Sequence, residues 1–193
     1  MANYTDIGVE KHGHVGLIEI RKPPLNFFDV ALINQIADAL EEFDKDIEIR
    51  SSVLAAQGKA FCAGANFTKL GFHPGFGLTT TLPELVGKNN AELIFYTSRR
   101  VTGQEATRMG LANVCVPQDQ VRAEAMKLAQ EIAECSPLGL LSTRATMRSG
   151  LADRVLAATN HELAEQSRLR KTEDFKEGVK ATAERRVANF KGR

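Results

Sequence analysis

The stretch Lys59-Ala60-Phe61-Cys62-Ala63-Gly64-Ala65-Asn66 decides how this chain is read. It follows a short apolar run, Ser52-Val53-Leu54-Ala55-Ala56, that predicts a buried strand. Small residues then crowd together, and small side chains let a ligand approach the backbone. Gly64 tolerates dihedrals that other residues avoid. Such a loop can aim backbone N–H groups at an oxygen that gains negative charge during a reaction. The same composition also suits a tight strand-to-loop turn with a small-residue packing face, so the stretch by itself leaves both readings open.

Upstream, Ile7–Val9 and Val15–Ile20 predict two strands around the turn Lys11-His12-Gly13-His14. His12 and His14 fit a solvated hairpin tip better than a metal-chelating pair. Lys22-Pro23-Pro24 ends the second strand, because proline has no N–H to give the ladder. Leu25-Asn26-Phe27-Phe28 follows as a loop, and Asp29 suits a helix N-cap. Val30, Ile33, Ile36, Ala37, Leu40 and Phe43 recur at helical spacing and predict an amphipathic helix over 30–45. Strand, helix, strand and loop make an α/β opening with the small-residue loop at the end of the last strand.

Downstream, Gly71 to Gly77 is a glycine-rich loop containing Pro74 and His73. His73 has no evident acid partner, and a plain turn is the better reading than a catalytic base. Helices are expected over Thr79–Val86 and Asn89–Arg99, the second with Ala91, Ile94 and Phe95 on one face. Thr102-Gly103-Gln104-Glu105 is a capping box for a short helix that stops at Gly110. Leu111–Val116 predicts an apolar strand closed by Pro117, and Asp119 is expected to cap a helix striped with Val121, Ala125, Leu128 and Ile132. Ser136-Pro137 starts another helix, Leu151, Val155 and Ala158 mark a further one, and Phe175–Arg186 is the last. The expected organisation is an α/β core over 1–117 and a helical region over 118–193. The helical stripes need a partner, either the first half or a neighbouring subunit.

A chain of 193 residues is long enough for one domain with a real core. Its 43% hydrophobic and 25% charged content is ordinary for a soluble globular protein. The net charge of +1 gives no overall field for nucleic acid or membrane. From Arg168 to Arg193 nine Lys/Arg face four Asp/Glu, a local +5 against −4 elsewhere. This basic tail is either a solvated helix face or a holder of ligand phosphates. Without interleaved aromatics it does not favour RNA or DNA. Cys62, Cys115 and Cys135 show no disulfide or metal spacing. Their buried-looking contexts suggest reduced thiols and a cytoplasmic protein. Cys62 has no activating neighbour that would make it a nucleophile. The first residues match neither a signal peptide nor a transit sequence, and no apolar run approaches a membrane span.

Six pieces, in order, resemble the crotonase superfamily, the enoyl-CoA hydratases and isomerases. They are 17–26 with its Pro-Pro-Leu-Asn loop, the loop 59–66, and the glycine-rich 70–77. Leu82–Gly87 follows, then 102–106 running into 110–114, and finally Ser136-Pro137 together with the ending Glu177-Gly178 to Arg185-Arg186. The resemblance implies a crotonase-like ββα spiral core with a helical C-terminal trimerisation region, assembled as a homotrimer or hexamer. It implies an acyl-CoA ligand, with coenzyme A as part of the substrate and no separate cofactor or metal. The thioester oxygen becomes enolate-like, and two backbone N–H groups stabilise it. By position Ala65 supplies the first. Ala63, Asn66, Pro24 and Leu25 would line the CoA path. Arg185 falls where the family often carries a basic residue near the CoA phosphates; an exposed helix arginine is the equal alternative.

The sequence also departs from the family pattern. Roughly 60–70 residues have no counterpart between Ala65 and Thr68, more than trimming a loop explains. In the family that segment supplies the second oxyanion N–H and often a catalytic glutamate, and the other glutamate position is Phe67 here. Three explanations stand, and they can combine: the natural protein contains the segment, the segment has been removed naturally, or this member does not use those glutamates. Two functions therefore stand: an acyl-CoA enzyme of the hydratase/isomerase type, and a non-catalytic CoA-binding or subunit-interaction member. Loss of core strands also leads us to expect a poorly stable isolated chain.

Overall fold

A computed structural model describes residues 4–62 and 68–193, an α/β fold that is mostly helical with a small mixed sheet. The chain clusters into two compact units, 1–64 with 116–147 and 65–115 with 148–193.

In the first unit, β1 (Ile7–His12) and β2 (Val15–Ile20) form an antiparallel hairpin with His12 opposite Val15. The two-residue turn needs positive φ, which Gly13 supplies at +59°. β3 (Ser51–Ala56) pairs parallel to β2, Leu17 opposite Val53. A parallel pair requires a crossover, and α1 (Val30–Lys45) provides it. Asp29 caps α1 as expected, its Oδ1 accepting from Leu32 N at 2.9 Å.

Alternation along β2 sorts its side chains onto two faces. Ile18 and Ile20, fully buried, pack with Ile7 against Leu32, Ile36, Ala39 and Phe43. Val15 and Leu17 turn the other way, with Val53, onto Ala129 and Ala133 of α5 (Val121–Ala133). A strand covered on both faces is the physical reason Val15–Ile20 is nearly all apolar. Gly16 lies on the α1 face, where an added Cβ would come within 2.4 Å of the Phe43 ring. Ser51 Oγ donates to Ala129 O at 2.7 Å, and the Arg50 guanidinium donates to Ala133 O at 3.2 Å. A cation at these last helical carbonyls is favourably placed. α6 (Pro137–Met147) completes this unit and buries none of its residues.

The second unit is helical: α2 (Leu78–Val86), α3 (Lys88–Thr97), α4 (Gly103–Met109), α7 (Leu151–Leu169) and α8 (Glu173–Ala183). Leu82, Val86 and Ala91 form its core, with Ile94, Phe95 and Met109 packed on them. The capping box is present: Glu105 N donates to Thr102 Oγ1 at 3.2 Å and Thr102 N to Glu105 Oε2 at 2.9 Å.

Several local expectations are corrected. Residues 111–116 form no strand; Leu111 N and Ala112 N instead close the end of α4 by donating to Ala106 O. Leu111 and Val114 stay about 40% exposed, and no described strand of that unit offers an edge to pair with. Asp119 does not cap α5: a 3₁₀ turn over Gln118–Gln120 leads in, and Gln120 is the N-cap residue. The last helix runs from Glu173 to Ala183, capped by Thr172. All three cysteines are exposed, so burial does not support the cytoplasmic expectation. No helix among the described residues is long and apolar enough to cross a membrane.

Candidate functional site

Two loops of the first unit meet at the C-terminal ends of β2 and β3. One runs from Lys22 to Asp29, with a cis bond between Pro23 and Pro24. The other is 57–62, leading into the small-residue stretch. Asn26 joins them. Its side chain is completely buried, and Nδ2 donates to Gln57 O at 2.8 Å and to Ala60 O at 2.6 Å. Oδ1 accepts from Lys22 N at 3.0 Å, and Asn26 N donates to Lys22 O at 2.9 Å. The backbone of Asn26 is left-handed, φ +49°, a conformation that asparagine adopts more readily than most residues. Phe28 and Phe61 add a tilted ring contact at 6.4 Å.

Lys22 Nζ closes the loop base, 2.5 Å from Asp29 Oδ2 and 3.3 Å from Asp6 Oδ2. The Lys22 hydrogen bond holds the Asp29 carboxyl below the usual carboxylate range, and the Asp29 carboxylate in turn raises Lys22. Pro24 and Leu25 sit exposed on this loop, held by the buried Asn26 beside them. Asn26 was absent from the expected site residues, although asparagine after Pro-Pro-Leu was the available signal. Replacing it tests the junction. Asn26→Ala strands two carbonyls and an amide and places alanine at positive φ, so a loss of about 2–4 kcal/mol in chemical denaturation is expected. Asn26→Asp should be worse, because it sets a carboxylate oxygen against the carbonyls of Gln57 and Ala60.

Ala63, Ala65 and Asn66 lie outside the described residues. The rings of His12, His14 and His73 each have a neighbour of their own: His12 Nε2 lies 3.1 Å from Glu10 Oε2, His14 Nδ1 lies 2.7 Å from Glu48 O, and His73 Nδ1 lies 2.8 Å from Pro74 O. Among the described residues no three His, Cys, Asp or Glu side chains converge as a metal site.

In the second unit, Arg185 is exposed and left-handed at φ +55°, just past α8 rather than within it. Its side chain makes no hydrogen bond or ion pair with any described residue. The neighbouring Arg186 grips Glu177 instead, Nη1–Oε1 2.5 Å and Nη2–Oε2 2.9 Å. That bond, together with Asn189 N, brings the Glu177 carboxyl from the ordinary 4.5 to about 2. A carboxyl lowered on folding contributes stability above its unfolded value, and the contribution is lost as pH falls through the folded one. Glu177 should therefore stay ionised through pH 4.5, and its side-chain carbon resonance should titrate near 2 in an NMR series. Titration at 4.5 would show the pair does not persist in solution.

Glu162 is the other residue that the sequence did not reveal. It is buried on α7, accepting from Gly77 N at 2.7 Å, Thr79 N at 3.0 Å and Thr79 Oγ1 at 2.6 Å. It thereby caps α2, whose own N-cap is Gly77, a residue with no side chain to do so.

The sequence profile described as Enoyl-CoA hydratase/isomerase matches residues 10–70 and 64–193. The chain belongs to this enoyl-CoA hydratase/isomerase family. The two matched segments overlap at 64–70, in agreement with a family pattern interrupted between Ala65 and Thr68. Among family relatives, the crotonyl-CoA hydratase of Syntrophomonas wolfei is 35% identical over 121 residues, 63% of this chain and 46% of that protein. The chain thus spans about half the length of some curated relatives it matches. The probable enoyl-CoA hydratase of Rhizobium meliloti is 27% identical over 257 positions, covering 99% of this chain and 100% of that protein. Since 257 exceeds 193 by 64, at least 64 of those positions have no residue in this chain. An enoyl-CoA hydratase/isomerase structure from Pseudoalteromonas atlantica superposes with TM-score 0.86 at 21% identity, covering 97% of this chain and 100% of that one, which fixes the fold as that of the family.

Proposed function

We propose that this chain is an acyl-CoA enzyme of the hydratase/isomerase type that holds a CoA thioester and stabilises its enolate form. The observation carrying this reading is the family match on both sides of the interruption, through residue 193. The Ala65 N–H acts as the first oxyanion donor, and such a preorganised donor contributes about 2.7–4 kcal/mol to transition-state stabilisation. Pro24, Leu25, Ala63 and Asn66 line the CoA path, and Arg185 meets a CoA phosphate. The Asn26 junction supports the assignment, because it fixes the chain that enters the small-residue loop at Gln57 and Ala60. We further propose the ββα spiral, with the exposed α6 face serving a homotrimer or hexamer and a cytoplasmic setting.

The non-catalytic alternative is favoured by one observation: at least 64 positions matched in the Rhizobium meliloti relative have no residue here. On the family resemblance, Phe67 would also stand where a glutamate is expected. An assay of hydration and double-bond isomerisation on short enoyl-CoA thioesters separates the two. Enzyme-dependent turnover supports the catalytic reading. Tight binding without turnover of any substrate overturns it in favour of the alternative.

A further inference from the structure

We infer that Glu177, acting through Arg186, is a positioning residue that presents Arg185 to an anionic group of the ligand. The inference rests on the proposed contact of Arg185 with a CoA phosphate and goes beyond it by assigning what sets that contact.

The segment after α8 is strapped back onto the start of its own helix. Arg186 makes a two-pronged pair with Glu177, a geometry that fixes direction as well as distance, and its Nε reaches Glu184 at 2.6 Å. Glu177 Oε1 also accepts from Asn189 N at 2.8 Å. One turn earlier, Asp174 accepts from Lys191 N at 2.6 Å and Gly192 N at 2.8 Å, while its own N–H donates to Arg193 O at 3.1 Å.

Arg185 is the hinge between the helix and this strap. Its positive φ is unfavourable for a side chain with a Cβ and needs an external constraint to persist. Arg185 N bonds Thr182 O at 3.2 Å and Arg186 N bonds Ala181 O at 3.0 Å, so the turn closes on α8 from both residues. On either side of Arg185, Glu184 and Arg186 are engaged with each other. Of the two arginines, Arg185 alone keeps all its guanidinium donors free of described partners, on an exposed turn whose backbone its neighbours hold. A guanidinium with free donors, carried on a backbone turn that is already held, suits a phosphate dianion, because less backbone freedom is lost on binding.

The test measures dissociation constants of CoA and 3′-dephospho-CoA for the full chain and takes their ratio. A general weakening of the fold lowers both affinities together and leaves the ratio unchanged. We expect a ratio of about tenfold in the parent, collapse to about one in Arg185→Ala, and a fall to within about twofold of that in Glu177→Ala. Arg186→Gln should behave like Glu177→Ala, which keeps the test available if either variant folds badly. Glu177→Gln, which retains an acceptor for Asn189 N, should lie between. The double variant Arg185→Ala/Glu177→Ala should lose no more than Arg185→Ala alone. If Arg185→Ala loses the discrimination while Glu177→Ala and Arg186→Gln keep it, the positioning role is wrong and the Arg185 contact stands. If Arg185→Ala keeps the discrimination, the contact itself fails and the positioning role with it.

Discussion

Hydration of crotonyl-CoA by this chain is expected to run at least ~10²–10⁴-fold slower than by a relative carrying the whole family pattern, the range associated with loss of a positioned proton carrier. The relative of choice is the Syntrophomonas wolfei crotonyl-CoA hydratase, of which this chain spans 46%. Hydration needs a base for water and an acid for the α-carbon. On the proposed family reading one of those positions would be Phe67, which cannot carry a proton, and the other would fall within the interruption between Ala65 and Thr68. If the second oxyanion donor is also not replaced, a further ~10²–10³-fold is lost. Steady-state rates measured side by side, at saturating substrate, decide the matter. A rate within tenfold of the relative would mean that other groups in this chain do the proton transfers, and that the reading of Phe67 is wrong.

Glu162→Ala is expected to lower the stability of the second unit by about 3–5 kcal/mol, since each hydrogen bond to a buried charge contributes about 1.5–3 kcal/mol. Three donors lose their acceptor, two of them amides at the N-terminus of α2 where Gly77 has nothing to offer. The carboxylate also faces the positive end of that helix dipole. Against a total stability of about 5–15 kcal/mol such a loss is large. Urea unfolding followed by circular dichroism measures it, and faster amide exchange at Thr79 to Thr81 would localise it. Glu162→Gln keeps one acceptor oxygen and should lose about half as much. Unchanged stability in Glu162→Ala would show that water or a rearranged loop serves those amides equally well.

What the sequence disclosed was what lies within a few residues of itself. The helix over 30–45 with its Asp29 cap, and the box at Thr102 and Glu105, depend on spacings of three and four, so periodicity and capping rules reach them. The hairpin depends on alternation and one glycine at its turn. The apolar run 111–116 misled because a strand also needs an edge to pair with, which no local pattern records. Asp119 misled because a 3₁₀ turn shifts the start of α5 past it. The long-range tethers within each unit were silent for a related reason. Asn26 bonds Gln57 and Ala60, 31 and 34 positions away, and Glu162 bonds Gly77, 85 positions away. Order of motifs carried further than any single spacing: six weak pieces in sequence pointed to the family that the profile match then established.

Both proposed functions require this chain to bind an acyl-CoA ligand, and equilibrium titration of the purified protein with crotonyl-CoA tests that most directly. Saturable binding with a dissociation constant below ~1 mM, in the range usual for enzyme substrates, is the predicted result. A correctly folded chain that shows no binding of crotonyl-CoA or free CoA at that concentration would contradict both the catalytic and the non-catalytic readings.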